Sequence, residues 1–148
     1  MPCILHARGK EFCVDEFLKE TDFKPERVHR RGEFIRRTGR TYEDSGFILV
    51  VSEADSQNLS RQIEEAFGYL RCHAESFRKL SKRPDIEAKR LDFLCELRDV
   101  PLQSEFFPAD FLALAGTLGI GVELSLCVGK RKKSQPADRK RKAGQIIR

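Results

Sequence analysis

The residue types able to do chemistry are few and scattered. Five cysteines (Cys3, Cys13, Cys72, Cys95, Cys127) and three histidines (His6, His29, His73) occur in 148 residues. No two cysteines form a CxxC pair, and the histidines lack HxxxH spacing. A zinc site would need ligands gathered from distant positions. The acid pairs Asp15/Glu16 and Glu64/Glu65 are sequence neighbours on helical patterns. Each pair therefore points to different sides instead of converging for general acid–base work. Cys72 and His73 are adjacent on one predicted helix, but a Cys/His dyad is assembled in space, so adjacency is no support. Cys72 reads as a surface or groove thiol and Cys95 as core. GTLGIG, residues 116–121, follows a helical pattern and precedes a strand, the reverse of the order a phosphate loop needs. Ser45-Gly46 precedes a strand and is no nucleophile elbow. These patterns point away from catalysis, and no metal or cofactor is expected.

The stronger signals are basic. RVHRRGEFIRRTGR, residues 27–40, brings together Arg27, Arg30, Arg31, Arg36 and Arg37, with Arg40 closing the run. Split over the two faces of a strand, these residues make no single ordered stripe. No aromatic alternates with them to stack bases. A charged edge strand also protects a sheet from pairing with another. The stretch is read first as a solvated edge or loop, and second as a surface for an anion or an acidic partner. Gly32 and Gly39 suggest bends or a hairpin, and Asp22, Glu26 and Glu33 are the acids expected to neutralise Lys24, Arg27 and Arg30 in part. A second basic cluster ends the chain: Lys130, Arg131, Lys132 and Lys133, then Arg139, Lys140, Arg141 and Lys142. Residues 129–148 carry nine Lys/Arg and one acid, Asp138, a net +8 against +5 for the whole chain, which leaves −3 for residues 1–128. The high pI thus belongs to the tail. Nine cations would give sequence-blind, salt-dependent affinity for nucleic acid, whereas the body has no such overall attraction.

These residues must be positioned by a modest set of elements. CILHAR (3–8) reads as a strand and VDEFLKE (14–20) as a helix ending before Pro25. SGFILVVS (45–52) is a continuous apolar run, as in a buried central strand. Residues 54–84 form the most regular helical pattern, with Leu59, Ile63, Phe67, Leu70, Ala74, Phe77 and Leu80 on one face. Asp55, Ser56 or Asn58 would cap it, with a break near Gly68 or Cys72. KRLDFLCELR (89–98) alternates as a half-buried antiparallel strand. PADFLALAGTLG (108–119) is a short helix with a proline start and a glycine stop. VELSLCV then alternates, placing Val122, Leu124, Leu126 and Val128 inward. The expected order is βαββαβαβ. That is an α+β two-layer sandwich, a mainly antiparallel sheet with helices on one face, built as a ferredoxin-like core plus an extra αβ unit. Residues 1–128 form its single domain, and 129–148 a disordered basic tail.

FLALAGTLGIGVELSLCV followed by KRKK imitates a short membrane span with its positive flank. Its glycines and its change of period favour helix-then-strand, so no membrane role is expected. MPCILHARGK lacks the apolar segment of a signal peptide. Cytoplasmic placement with reduced thiols is the expectation.

The layout resembles a bacterial family of small cytosolic α+β proteins, the domain of unknown function 4279. The similarity lies in FKPERVHRRGE, in SGFILVV, in the long helix, and above all in FPADFLALAGTLGIGVELSLCV. Phe47 stands where the family usually has tryptophan, and the basic tail is outside its pattern. The resemblance implies a fold, and no activity, cofactor or catalytic residue. The chain is read as a non-catalytic macromolecule-binding protein. Its first reading is a protein-interaction module, of the immunity or toxin-neutralising kind, with another protein as partner. The alternative is a nucleic-acid-associated protein using the tail and the 27–40 arginines. Sequence leaves the oligomeric state open.

Overall fold

The computed structural model describes residues 3–129. The predicted contacts at Lys130, Arg131, Lys132, Lys133, Arg139, Lys140, Arg141 and Lys142 lie outside them. The elements are β1 (Cys3–Gly9), α1 (Val14–Lys19), β2 (Arg27–His29), β3 (Phe34–Ile35), β4 (Arg40–Thr41), β5 (Ser45–Ser52), α2 (Leu59–Cys72), α3 (Ala74–Ser81), β6 (Ala88–Leu97), α4 (Ala109–Thr117) and β7 (Gly121–Val128). Five strands make one sheet in the order β2-β5-β1-β6-β7, and β3-β4 make a separate hairpin. β5 runs antiparallel to both β2 and β1, and β6 antiparallel to β1. β7 alone is parallel to its neighbour, β6.

The α+β class and the mainly antiparallel sheet match the sequence expectation. The element order differs in one place: the arginine stretch contributes two extra short strands. The long helical pattern breaks after Cys72, one of the two positions expected, into α2 and α3. α2 stops at His73 because that residue leaves helical geometry (φ −108°, ψ 29°). Its N–H still bonds Tyr69 O at 3.0 Å while its carbonyl accepts from Phe77 N at 3.1 Å, so His73 ends α2 and caps α3. Asn58 is the cap, its side chain accepting from Arg61 N at 3.1 Å. β5 is interior as expected, but β1 holds the centre of the sheet.

The core lies under one sheet face. Leu5 and Ala7, Phe47 and Leu49, and Leu91 and Phe93 alternate inward from β1, β5 and β6. They meet Phe17 of α1, Ile63, Ala66 and Leu70 of α2, Phe77 and Leu80 of α3, and Phe111 of α4. Phe47 sits among Phe12, Phe17 and Phe23, with ring centroids 5.9–6.3 Å apart. Phe93 and Phe111 meet edge-on at 5.7 Å. Gln62 of α2 is fully buried as well, its Nε2 donating to Asp55 O and Leu94 O at 2.8 Å each. It ties the loop before α2 to β6. Pro108 opens α4, and Gly119, at φ +67°, lets the chain turn from α4 into β7.

β7 departs from its predicted burial. Val122 and Leu124 pack against the core, but Leu126 is 57% and Val128 80% exposed. α4 is only nine residues long, and it covers the first half of the strand. The alternating pattern names a face of the strand, and only a covering helix makes that face interior.

Replacing Phe47 by Ala empties the centre of the phenylalanine cluster. The expected loss is about 3–5 kcal/mol, read as a lowered urea midpoint with the slope unchanged.

Candidate functional site

The arginine stretch divides into a tether and a tip. β2 is only three residues long, pairing Arg27 with Ile48, Val28 with Phe47 and His29 with Gly46. Val28 packs against the core. Beyond His29 the chain leaves the sheet. Arg31 N donates to Ser45 Oγ at 2.9 Å, and His29 Nε2 lies 2.9 Å from Asp44 Oδ1. Arg8 donates to the other Asp44 oxygen at 3.2 Å, and the Tyr42 ring lies 4.5 Å from the His29 ring. Gly32 at φ +87° and Gly39 at φ +69° adopt the left-handed backbone that favours glycine. Between them Phe34 pairs with Thr41 and Ile35 with Arg40. Gly32 N to Tyr42 O (2.8 Å) and Tyr42 N to Glu33 O (2.9 Å) close the base of this finger.

Two of the predicted contact residues are already engaged. Arg30 grips Asp15 through Nε and Nη2, both at 2.7 Å, and reaches Glu33 at 3.1 Å. The guanidinium holds the Asp15 and Glu33 carboxyls below their ordinary values, chiefly by hydrogen bonding. Arg31 donates to Glu11 at 2.9 Å. These ties fasten the finger to the α1 region. Asp15 and Glu11 are distant in sequence, and charge spacing gives no sign of either contact. Of the acids expected to neutralise this stretch, Glu33 does so, while Asp22 is engaged elsewhere. Arg27, Arg36, Arg37 and Arg40 have no carboxylate partner among the described residues. Arg36, Arg37 and Arg40 sit at the tip, and Phe34, 65% exposed, stands on the adjoining strand. The sequence pattern counted Phe34 among the apolar residues of the stretch and gave no sign that its ring is exposed. The hairpin sets Phe34 opposite Thr41 and Arg40 opposite Ile35, so the ring and Arg40 lie on different faces.

Two other places gather polar groups. A cleft of about 350 Å³ at the start of α2 is lined by Ser56, Asn58, Ser60, Cys95, Arg98 and Glu105, among others. Cys95 is buried, as the sequence suggested, and its thiol donates to Glu105 at 3.3 Å. Burial, then the Glu105 hydrogen bond, push that thiol up to about 11, so it stays protonated and a poor nucleophile at neutral pH. Arg98 donates to the same carboxylate at 3.2 Å. Elsewhere Asp22 Oδ2 lies 2.7 Å from His73 Nδ1, and Ser76 Oγ both accepts from Asp22 N and donates to Asp22 Oδ1. The Ser76 hydroxyl first, and His73 second, hold the Asp22 carboxyl low. His73 is thus committed to an aspartate that fastens the loop after α1 to the start of α3. Ser76 is buried and turned toward the carboxylate. Among the described residues no group of three or more His, Cys, Asp or Glu side chains gathers to hold a metal. No helix among them is long and apolar enough to cross a membrane.

A family model described as "Domain of unknown function (DUF4279)" matches residues 1–129. The chain belongs to that family. Comparison with curated proteins and with solved structures finds no match. Membership agrees with the small α+β fold, and it assigns no role to any residue of the finger.

Two outcomes follow from these environments. In a thiol titration of the native protein, exposed Cys13 and Cys72 react quickly, while buried Cys3 and Cys95 wait for unfolding. Asp22→Asn lowers the melting temperature at neutral pH. Because the Asp22 carboxyl is depressed in the fold, its stabilisation is present above the unfolded value of about 3.9 and is lost as pH falls through the folded value. The deficit of the variant therefore shrinks on acidification, as melting curves across acidic pH would show.

Proposed function

We propose that this chain is a non-catalytic macromolecule-binding protein, and that its contact element is the β3–β4 finger, presented to an acidic surface on another protein. The observation that carries this reading is the split among the arginines. Arg30 and Arg31 anchor the finger to Asp15, Glu33 and Glu11, while Arg36, Arg37 and Arg40 stand at its tip without a carboxylate partner among the described residues. Arginine is among the residues enriched at energetic hot spots of protein interfaces. Charge complementarity would speed encounter and select the partner. A neutralising or immunity role fits a small binding protein of this kind, with residues 1–128 as its domain.

Nucleic acid is the second reading. The exposed Phe34 on the same hairpin favours it, since a base can stack on an exposed ring while arginines meet phosphates. The tail cations at 130–142 would then add salt-sensitive affinity.

The finer fold reading belongs with these proposals. β1 and β2 both flank β5 antiparallel, and β5 and β6 both flank β1 antiparallel. This supports a ferredoxin-like core of β1-α1-β2-β5-α2/α3-β6, with the β3–β4 finger inserted and α4-β7 appended. The free, partly buried thiols are compatible with a cytoplasmic setting.

Affinity capture with the full chain tests the function directly. It compares the wild type with an Arg36→Ala/Arg37→Ala/Arg40→Ala variant, before and after nuclease. A protein with an acidic surface, retained after nuclease and lost with the variant, is the expected result. Captured material that disappears with nuclease supports the second reading. Identical capture by wild type and variant removes the finger from both.

A further inference from the structure

The two edges of the sheet are built differently. β2 is three residues long, carries Arg27, and runs into the basic finger. Such an edge resists pairing with another strand. β7 is eight residues long, and its pairing with β6 runs from Gly121 to Val128 without a register shift. It has no proline, lysine or arginine. Its one charge, Glu123, lies 3.4 Å from Arg90. Among the described residues no strand pairs with the outer edge of β7.

The strand is also chemically symmetric about Ser125. An antiparallel copy related by a two-fold axis there places Val122 opposite Val128 of the copy, Leu124 opposite Leu126, and Glu123 opposite Cys127. On the helix-side face every pair is apolar, and no like charges meet on the other face. Coverage is complementary as well. α4 shelters Val122 and Leu124 and leaves Leu126 (57% exposed) and Val128 (80% exposed) uncovered. The two-fold lays the uncovered half of each strand against the sheltered half of the other, beside the copy's α4. A self-complementary patch of this kind is what an isologous dimer requires.

We propose that β7 pairs with β7 of a second copy, antiparallel about Ser125, joining two five-stranded sheets into one continuous sheet. The two basic fingers then lie at its far ends, so the interface is separate from the proposed partner site.

Sedimentation of the full chain at high salt, with nuclease treatment, is the test. The expected mass is twice 17.0 kDa. Leu126→Lys is expected to give a single copy with its circular dichroism unchanged, because Leu126 is already exposed. In a background with Cys13, Cys72 and Cys127 replaced by Ser, Ser125→Cys is expected to cross-link into a covalent dimer on mild oxidation. Opposed residues of an antiparallel pair lie within disulfide reach. A monomer at all concentrations overturns the proposal. So does a dimer that survives Leu126→Lys, since it must form elsewhere. A dimer lost with Leu126→Lys but lacking the Ser125→Cys cross-link overturns the two-fold about Ser125. A strand from a different protein on this edge would appear as a stable one-to-one mixed complex, and that also contradicts the proposal.

Discussion

Everything in this molecule is arranged around a sheet with one covered face. Phe47 stands at the centre of that cover, within 6.3 Å of the rings of Phe12, Phe17 and Phe23. All four helices contribute side chains to the same layer. Dense packing there holds the strands in register and supplies most of the favourable free energy of folding. Among the described residues no helix covers the opposite face. Ile4, Ile48, Val50 and Leu94 are only half-buried there, interleaved with His6, Arg90 and Asp92. Burial, followed by the nearby Arg90 charge, keeps His6 below its ordinary value. That face is polar enough to meet water, so the sheet edges are the places where the fold has something left to satisfy.

The edges are handled in opposite ways. On the β2 side the chain abandons pairing after three residues and folds out into a finger. The carboxylates of Asp15, Glu33, Glu11 and Asp44 fix its base. Those ion pairs are exposed and contribute little to stability, but they decide orientation. The finger therefore projects as a defined object with charge at its tip. On the β7 side the helix cover runs out before the strand does, leaving apolar residues beside a backbone edge that no strand pairs with among the described residues. Binding by the first edge and assembly by the second, as proposed, would be separate consequences of one sheet geometry.

Local pattern was enough for much of this. SGFILVVS coincides with β5, and the helix and strand within 108–128 were legible from proline, glycine and a change of period. Gly32 and Gly39 marked the hairpin. Cys95 and Cys72 read correctly as core and surface. What sequence hid was long-range. Nothing near Arg30 announces Asp15, and nothing near His73 announces Asp22, because those contacts depend on how α1 packs. Alternation in VELSLCV could name a face but not the length of the helix above it, so Leu126 and Val128 were misplaced. Gln62 was also missed. A polar residue on a helical stripe ordinarily faces water, and only the geometry of β6 offers it the carbonyl of Leu94.

The central claim is that Arg36, Arg37 and Arg40 are available for binding while Arg30 and Arg31 are spent on holding the finger. Arginine Nε–H resonances of the full chain, followed during titration with polyglutamate and separately with short RNA, test it most directly. The account predicts that the signals of Arg36, Arg37 and Arg40 shift and broaden with a polyanion, while those of Arg30 and Arg31 stay in place. Equal shifts across all five, or shifts confined to Arg30 and Arg31, would contradict it.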